Sequence, residues 1–157
     1  MFKKILVATD GSPRSEKAAD MAIALAKNFN AVLLVVSVVD TGSPRSAMDI
    51  DLDSFEEIKE DNAIISKQVE SNRIKPEQQF ISRVRSRAES DGLATEGIVR
   101  IGEVAAAILS CAEENSPDMI VVGTHGRGPI ATALRGSVAT KVIQGGVVPV
   151  LVVPTAD

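Results

Sequence analysis

The sequence predicts a single-domain α/β fold, an open five-stranded parallel sheet with helices on both faces, and three observations carry that expectation. Five short apolar runs alternate with stretches long enough to form a helix, the pattern of a doubly wound sheet. Hydrophobic residues make up 45% of the 157, yet Trp and Tyr are absent and Phe occurs four times. Such a core must be built from Val, Ile, Leu and Ala, the residues of a sheet buried on both sides. The third observation is the loop GTHGRGPIATALRGS at residues 123–137, which follows an apolar run and precedes a helical pattern. A chain of this length buries roughly 70% of its unfolded surface, enough for one core, so residues 1–157 are expected to form one domain.

The elements follow in order. Lys3 to Thr9 (KKILVAT) is a strand that ends at Asp10-Gly11-Ser12-Pro13, where Ser12 suits a helix cap and Pro13 its first turn. Ala18, Met21, Ala22, Leu25, Ala26 and Phe29 then recur at helical spacing and predict one apolar face. Ala31 to Val39 (AVLLVVSVV) is continuously apolar and predicts a central strand. Residues 40–53 are polar, with Gly and Pro, and read as a long loop. From Ser54 to about Asp91 the composition is helical and charged, and Pro76 predicts two helical pieces or one kinked helix.

Ala94 to Ile101 (ATEGIVRI) is a more polar strand that fits a sheet edge. Gly102 leads into a helix with Val104, Ile108, Cys111 and Ala112 on one face, so Cys111 reads as a small core residue. The fourth strand is Asp118 to Val122. After the glycine loop, Ser137 is expected to cap a helix carrying Val138, Val142 and Ile143 that ends at Gly145-Gly146. Val147 to Val153 is the last strand, and Pro149 within it predicts an edge.

A net charge of −4 argues against nucleic acid as a partner, which demands a clustered basic surface. Arg83, Arg85 and Arg87 alternate by two on a helix, so Arg85 faces away from the other pair and no basic stripe forms. A single cysteine and a charged first strand in place of a signal peptide predict a cytoplasmic protein, and no apolar run is long enough to cross a membrane.

The glycine loop has the setting in which proteins hold phosphate. Glycine lets an anion approach backbone amides, and the first amides of a helix lack partners. Its spacing is G-x-x-G (Gly123, Gly126), nine residues, then Gly136-Ser137. In open α/β sheets ligands sit beyond the carboxyl ends of the strands where the winding reverses. If strands one and four are neighbours, Asp10 faces this loop across one cleft. A carboxylate and a phosphate cradle must grip different parts of one ligand, and a ribose plus phosphate satisfies both. Asp10 could equally be a turn former beside Gly11 and Ser12.

The opening KKILVATDGS, the SVVD closing strand two and the ending GTHGRG…LRGSVATKVI…VPVLVV resemble the universal stress protein family, in its ATP-binding branch, over essentially the whole chain. The resemblance implies the strand order 3-2-1-4-5 of an adenine nucleotide alpha hydrolase-like fold. It implies that Ala8, Thr9 and Asp10 line the adenosine, with Asp10 on the ribose, and that Val38 meets adenine through its backbone. Gly123, Thr124, His125, Gly126, Arg127 and Gly128 would wrap the phosphates, and Gly136, Ser137, Val138 and Ala139 would close the far side. The ligand would be ATP, with ADP or AMP as alternatives and Mg²⁺ carried by the phosphates. The family also forms homodimers through the last strand, here around Val150 to Val153. Ser37 stands where relatives often have histidine, and Ala8 where a proline sometimes occurs.

Other chemistries fit less well. No G-x-x-x-x-G-K-[ST] run exists, and Gly126, Gly128 and Ala131 match a dinucleotide fingerprint only after the fourth strand, without the acidic residue it needs. Asp49, Asp51, Asp53 and Glu60 imitate a calcium loop, but Ser54 replaces its glycine, so a solvated acidic loop is the default. His125 is the only histidine, which leaves Ser137 without a base. No residue announces itself as orienting a water for phosphoryl transfer. The expected protein is a nucleotide-responsive regulator, the alternative being a slow ATPase or autophosphorylating enzyme on the same site.

Overall fold

The structure, a computed structural model, describes residues 1–41, 63–124, 137–146 and 148–154. Five parallel strands, β1 (Lys4–Ala8), β2 (Val32–Asp40), β3 (Thr95–Gly102), β4 (Met119–Gly123) and β5 (Val150–Val153), lie in the order β3-β2-β1-β4-β5. Four helices are described, α1 (Pro13–Phe29), α2 (Ala63–Ser90), α3 (Val104–Asn115) and α4 (Ser137–Gly145). The expected order and class are therefore observed.

Strand alternation splits the apolar runs between two cores. Ile5, Val7, Leu33, Val35 and Val121 face α1 and α2, where they meet Ala18, Ala19, Ala22, Ile23 and Ala26 of α1 and Ile81, Val84 and Ala88 of α2. Leu6, Leu34, Val36, Ile120 and Val122 face α3 and α4, against Ala105, Ile108, Cys111, Ala112, Ala139 and Val142. Burial on both faces is why β1, β2 and β4 read as unbroken hydrophobic runs. Cys111 is fully buried, as its spacing predicts, and desolvation pushes its thiol pKa up.

Two expectations need correction, the buried face of α1 and the start of β5, and two more, for α2 and α4, are sharpened. The buried face of α1 is Ser15, Ala18, Ala19, Ala22, Ile23 and Ala26, so Met21 and Phe29 are 44% and 46% exposed. Small side chains let this helix lie close to the sheet, and the bulkier ones are turned to its flank, where Phe29 meets Phe2 edge to face at 5.0 Å. α2 is one helix with Pro76 inside it, and beyond the proline its buried positions Glu77, Ile81, Val84 and Ala88 keep one face on the sheet. In α4 the core residues are Ala139 and Val142, while Ile143 is 52% exposed. β5 begins after Pro149, whose carbonyl still accepts from the Ile120 amide at 2.9 Å; proline supplies the acceptor and needs no donor there.

Ser12 caps α1 as expected, its side chain accepting from the Ser15 amide with Pro13 opening the helix. Ser137 is the first residue of α4. Glu103, which the sequence reading did not single out, caps α3 by accepting from the Ala105 and Ala106 amides. The three arginines of α2 each have local partners: Arg83 lies over the Phe80 ring, Arg85 bonds Glu89 and Thr95, and Arg87 reaches Glu16 and Asp20 of α1. No basic stripe results. Among the described residues no helix is long and apolar enough to cross a membrane.

The amino end of the β1–β4 pair is clamped by Asp118, whose Oδ2 accepts from the Lys3 amide at 2.7 Å and the Lys4 amide at 3.0 Å. Those two bonds, the Lys3 one first, hold its carboxyl below the ordinary aspartate range. A lowered folded pKa contributes stability that is fully present above the unfolded pKa and is lost as pH falls through the folded one. Asp118→Asn is therefore expected to be less stable than the parent at pH 7, with the gap closing in acid below the unfolded aspartate value of about 4. Urea denaturation of both chains across that range checks it; a gap constant with pH would contradict the clamp.

Candidate functional site

At the opposite, carboxyl end the same two strands part. β1 and β4 pair through Ile5–Met119, Leu6–Ile120 and Val7–Val121, and the register ends there. One further rung would join the Gly123 amide to the Ala8 carbonyl. Instead β1 stays with β2, its Thr9 amide donating to the Val36 carbonyl at 2.9 Å. β4 stays with β5, its Thr124 amide donating to the Val153 carbonyl at 3.2 Å. The winding reverses at the same place, since α1 leaves β1 for one face of the sheet while α4 follows β4 on the other. A crevice at such a point is where open α/β sheets place ligands.

Register also shows which backbone groups look into the crevice. The Lys4 carbonyl accepts from the Asp118 amide, so even-numbered residues of β1 turn their peptide groups toward β4, and Ala8 is the last of them. Even-numbered residues of β4 turn toward β5, which leaves Gly123 facing β1. In β2 the Val36 carbonyl faces β1, so Val38, two residues on, faces the same side past the end of β1. Three of the expected binding residues thus present backbone at one opening.

The side chains sort differently. Ala8, Val38, Val138 and Ala139 belong to one apolar cluster on the α3–α4 side, Val38 being 8% and Ala139 4% exposed. Thr9 is 4% exposed and faces the α1 side, where its Oγ1 lies 3.2 Å from the Ser15 hydroxyl. A methyl added at Gly123 would touch the Arg14 carbonyl oxygen at 3.4 Å and Ala18 Cβ at 4.0 Å, ordinary contacts, so packing there leaves room for alanine. His125, Gly126, Arg127, Gly128, Arg135 and Gly136 lie outside the described residues, as do the loop positions 42–53 and the acidic group Asp49, Asp51, Asp53 and Glu60.

Asp10 sits on the lip of β1 in a tight turn. Its Oδ1 accepts from the Ser12 amide at 2.9 Å, and its own amide donates to the Ser15 hydroxyl at 3.3 Å. The turn-forming reading of Asp10 is thus observed. It does not exhaust the group, because an ionised carboxylate offers roughly four acceptor positions. Gly11 follows with φ +74°, and the ring of Phe80 from α2 lies directly against it. Sequence reasoning missed Phe80 and Ser15; the Ser12-x-x-Ser15 spacing at the start of α1 could have pointed to Ser15, whereas no local spacing reveals Phe80. Ser37, on the α1–α2 face of β2, is 1% exposed and its hydroxyl has no hydrogen-bond partner among the described residues.

The sequence pattern of the universal stress protein family matches residues 1–154. The chain belongs to this family. Universal stress protein YxiE of Bacillus subtilis is 34% identical over 159 residues, covering 98% of this chain and 99% of that one. Among solved structures, hypothetical protein MJ0577 of Methanocaldococcus jannaschii superposes with a TM-score of 0.73 at 27% identity, covering 100% and 99% of the two chains. A universal stress protein in complex with cAMP superposes with a TM-score of 0.68 at 26% identity, covering 99% of each. This universal stress protein shares its overall fold with the two solved structures.

Proposed function

We propose that this universal stress protein binds ATP in the crevice between β1 and β4 and acts as a nucleotide-responsive regulator. The observation that carries the reading is the missing rung past Val7–Val121, which turns the Ala8 carbonyl and the Gly123 amide toward a ligand instead of toward each other. Adenine would lie against Ala8 and the Val38 backbone, the ribose hydroxyls would donate to Asp10, and the phosphates would follow Gly123 and Thr124 toward the start of α4. There the first amides of a helix favour an anion. His125, Gly126, Arg127, Gly128, Gly136 and Ser137 complete the phosphate cradle in this reading, on the strength of the G-x-x-G, nine-residue, G-S spacing. Val138 and Ala139 close it through their backbone. The related protein in complex with cAMP supports an adenine nucleotide as the ligand class. Mg²⁺ would arrive with the phosphates and neutralise them.

The same reading makes residues 1–157 one universal stress protein domain of the cytoplasm. It also makes the protein a homodimer through β5. Among the described residues that strand pairs only with β4 and so leaves an edge, and edges of this kind invite a second strand.

Two measurements test the function. Denaturing the purified protein and weighing the released small molecules should yield an adenine nucleotide. Incubation with ATP and Mg²⁺ should then leave ATP bound and intact. Steady release of ADP would favour the slow-ATPase alternative. Failure to bind ATP, ADP or AMP at millimolar concentration would overturn the reading.

A further inference from the structure

We propose that Phe80 is a positioning residue for the ribose-binding carboxylate: its ring, braced on α2, holds the Asp10–Gly11 turn in the shape that presents Asp10 to the crevice. The inference rests on the ATP-binding reading above and adds to it a residue about seventy positions away in sequence. The turn has two kinds of support. On the side of α1 it is tied by polar contacts, the Asp10 amide to the Ser15 hydroxyl at 3.3 Å and the Gly11 amide to Thr9 Oγ1 at 3.4 Å. These bonds are long and weak. On the other side it is covered by Phe80, whose ring carbons Cδ1 and Cε1 would lie 2.3 Å from a Cβ built on Gly11. The ring therefore occupies the space that a side chain at position 11 would take.

Gly11 is the residue with most freedom in this turn. Glycine reaches positive and negative φ with similar ease, so the observed φ of +74° is not held by its own covalent geometry. The Phe80 ring against it supplies the restraint. The ring has a second contact, since the Arg83 guanidinium lies over it at 5.3 Å from its centroid. α2 in turn is anchored without Phe80, by Ile81, Val84 and Ala88 in the core and by Arg87 on Glu16 and Asp20. Removing the ring should leave the helix docked and the turn loose. Asp10 Oδ1 would still bond the Ser12 amide, but the pair would move as a unit relative to the sheet.

The consequence is selective for the ribose. Phosphate and adenine contacts lie on other elements, so only the hydroxyl-to-carboxylate bonds depend on where the turn sits. Binding of ATP and of 2′,3′-dideoxy-ATP, measured by calorimetry on the intact protein, separates these. The parent should prefer ATP by about tenfold or more, the effect of one or two hydrogen bonds to a charged group. Phe80→Ala should weaken ATP by about that factor and leave dideoxy-ATP nearly unchanged, so that the preference collapses. Phe80→Tyr should restore it. Phe80→Leu, which keeps apolar bulk and safeguards folding, should give an intermediate ratio.

A parent-like preference in both Phe80→Ala and Phe80→Leu, with the two nucleotides weakened equally or not at all, would sink the positioning role and leave the ATP site standing. A parent that binds both nucleotides equally would remove the ribose contact itself, and the inference with it. Loss of binding to every adenine nucleotide in the parent would instead strike the functional reading.

Discussion

Gly11→Ala is expected to destabilise the protein by roughly 2–5 kcal/mol, combining the ~1–2 kcal/mol of a left-handed non-glycine residue with the ~1–3 kcal/mol of overpacking. Both causes act at this position. Its φ is +74°, and a methyl would arrive 2.3 Å from two carbons of the Phe80 ring. A ring on an anchored helix cannot step aside as the end of a lysine would. For a chain of about this size, the loss corresponds to a fall in Tm of roughly 5–15 °C. Gly92 provides the internal comparison, because its φ is +80° while nothing lies within 4 Å of the added methyl. Gly92→Ala should therefore cost only the backbone part, about 1 kcal/mol. Thermal and urea denaturation of the two variants separates crowding from conformation. Equal losses would mean that the Phe80 contact is soft, and the double variant Gly11→Ala, Phe80→Ala should recover the crowding part alone.

This contact illustrates what the sequence could and could not convey. The apolar runs that became β1, β2 and β4 were legible because burial on both faces leaves no polar alternation to interrupt them. The crevice was legible too, since the order of elements places the ends of β1 and β4 together once the resemblance supplies the strand order. The rotation of α1 was not. Met21 and Phe29 fit an apolar stripe as well as Ala19 and Ile23 do, and only the demand for close helix–sheet approach selects the small residues. Pro76 leaves two helical pieces and one kinked helix equally open to local rules, which see only a missing amide; the structure has one helix, with Ile81, Val84 and Ala88 buried beyond the proline. Glu77, 5% exposed, lies on that same buried face, where charge patterning alone predicts solvent. Phe80 against Gly11 joins positions far apart in sequence, and no spacing rule reaches that far.

Asp10 is where the two readings of the sequence meet, and its substitutions should divide them. Asp10→Ala removes the acceptor for the Ser12 amide, which sits at 2.9 Å, together with any acceptor for a ribose. A modest loss of stability, about 1 kcal/mol, and a fall in ATP affinity of about 10- to 100-fold are expected, the latter matching hydrogen bonds to a charged group. Alanine alone cannot say which loss causes the other. Asp10→Asn can, because its amide oxygen retains the turn and supports the same Asx geometry, while the negative charge that strengthens a hydroxyl bond is gone. The asparagine variant should melt with the parent and still bind ATP more weakly, by about tenfold. Its affinity for 2′,3′-dideoxy-ATP should match the parent's, since that ligand has no hydroxyl to lose. Should calorimetry find parent-like ATP binding in Asp10→Asn, the carboxylate is a turn former only, and the ribose must be held by backbone groups such as the Ala8 carbonyl that the missing rung leaves facing the crevice.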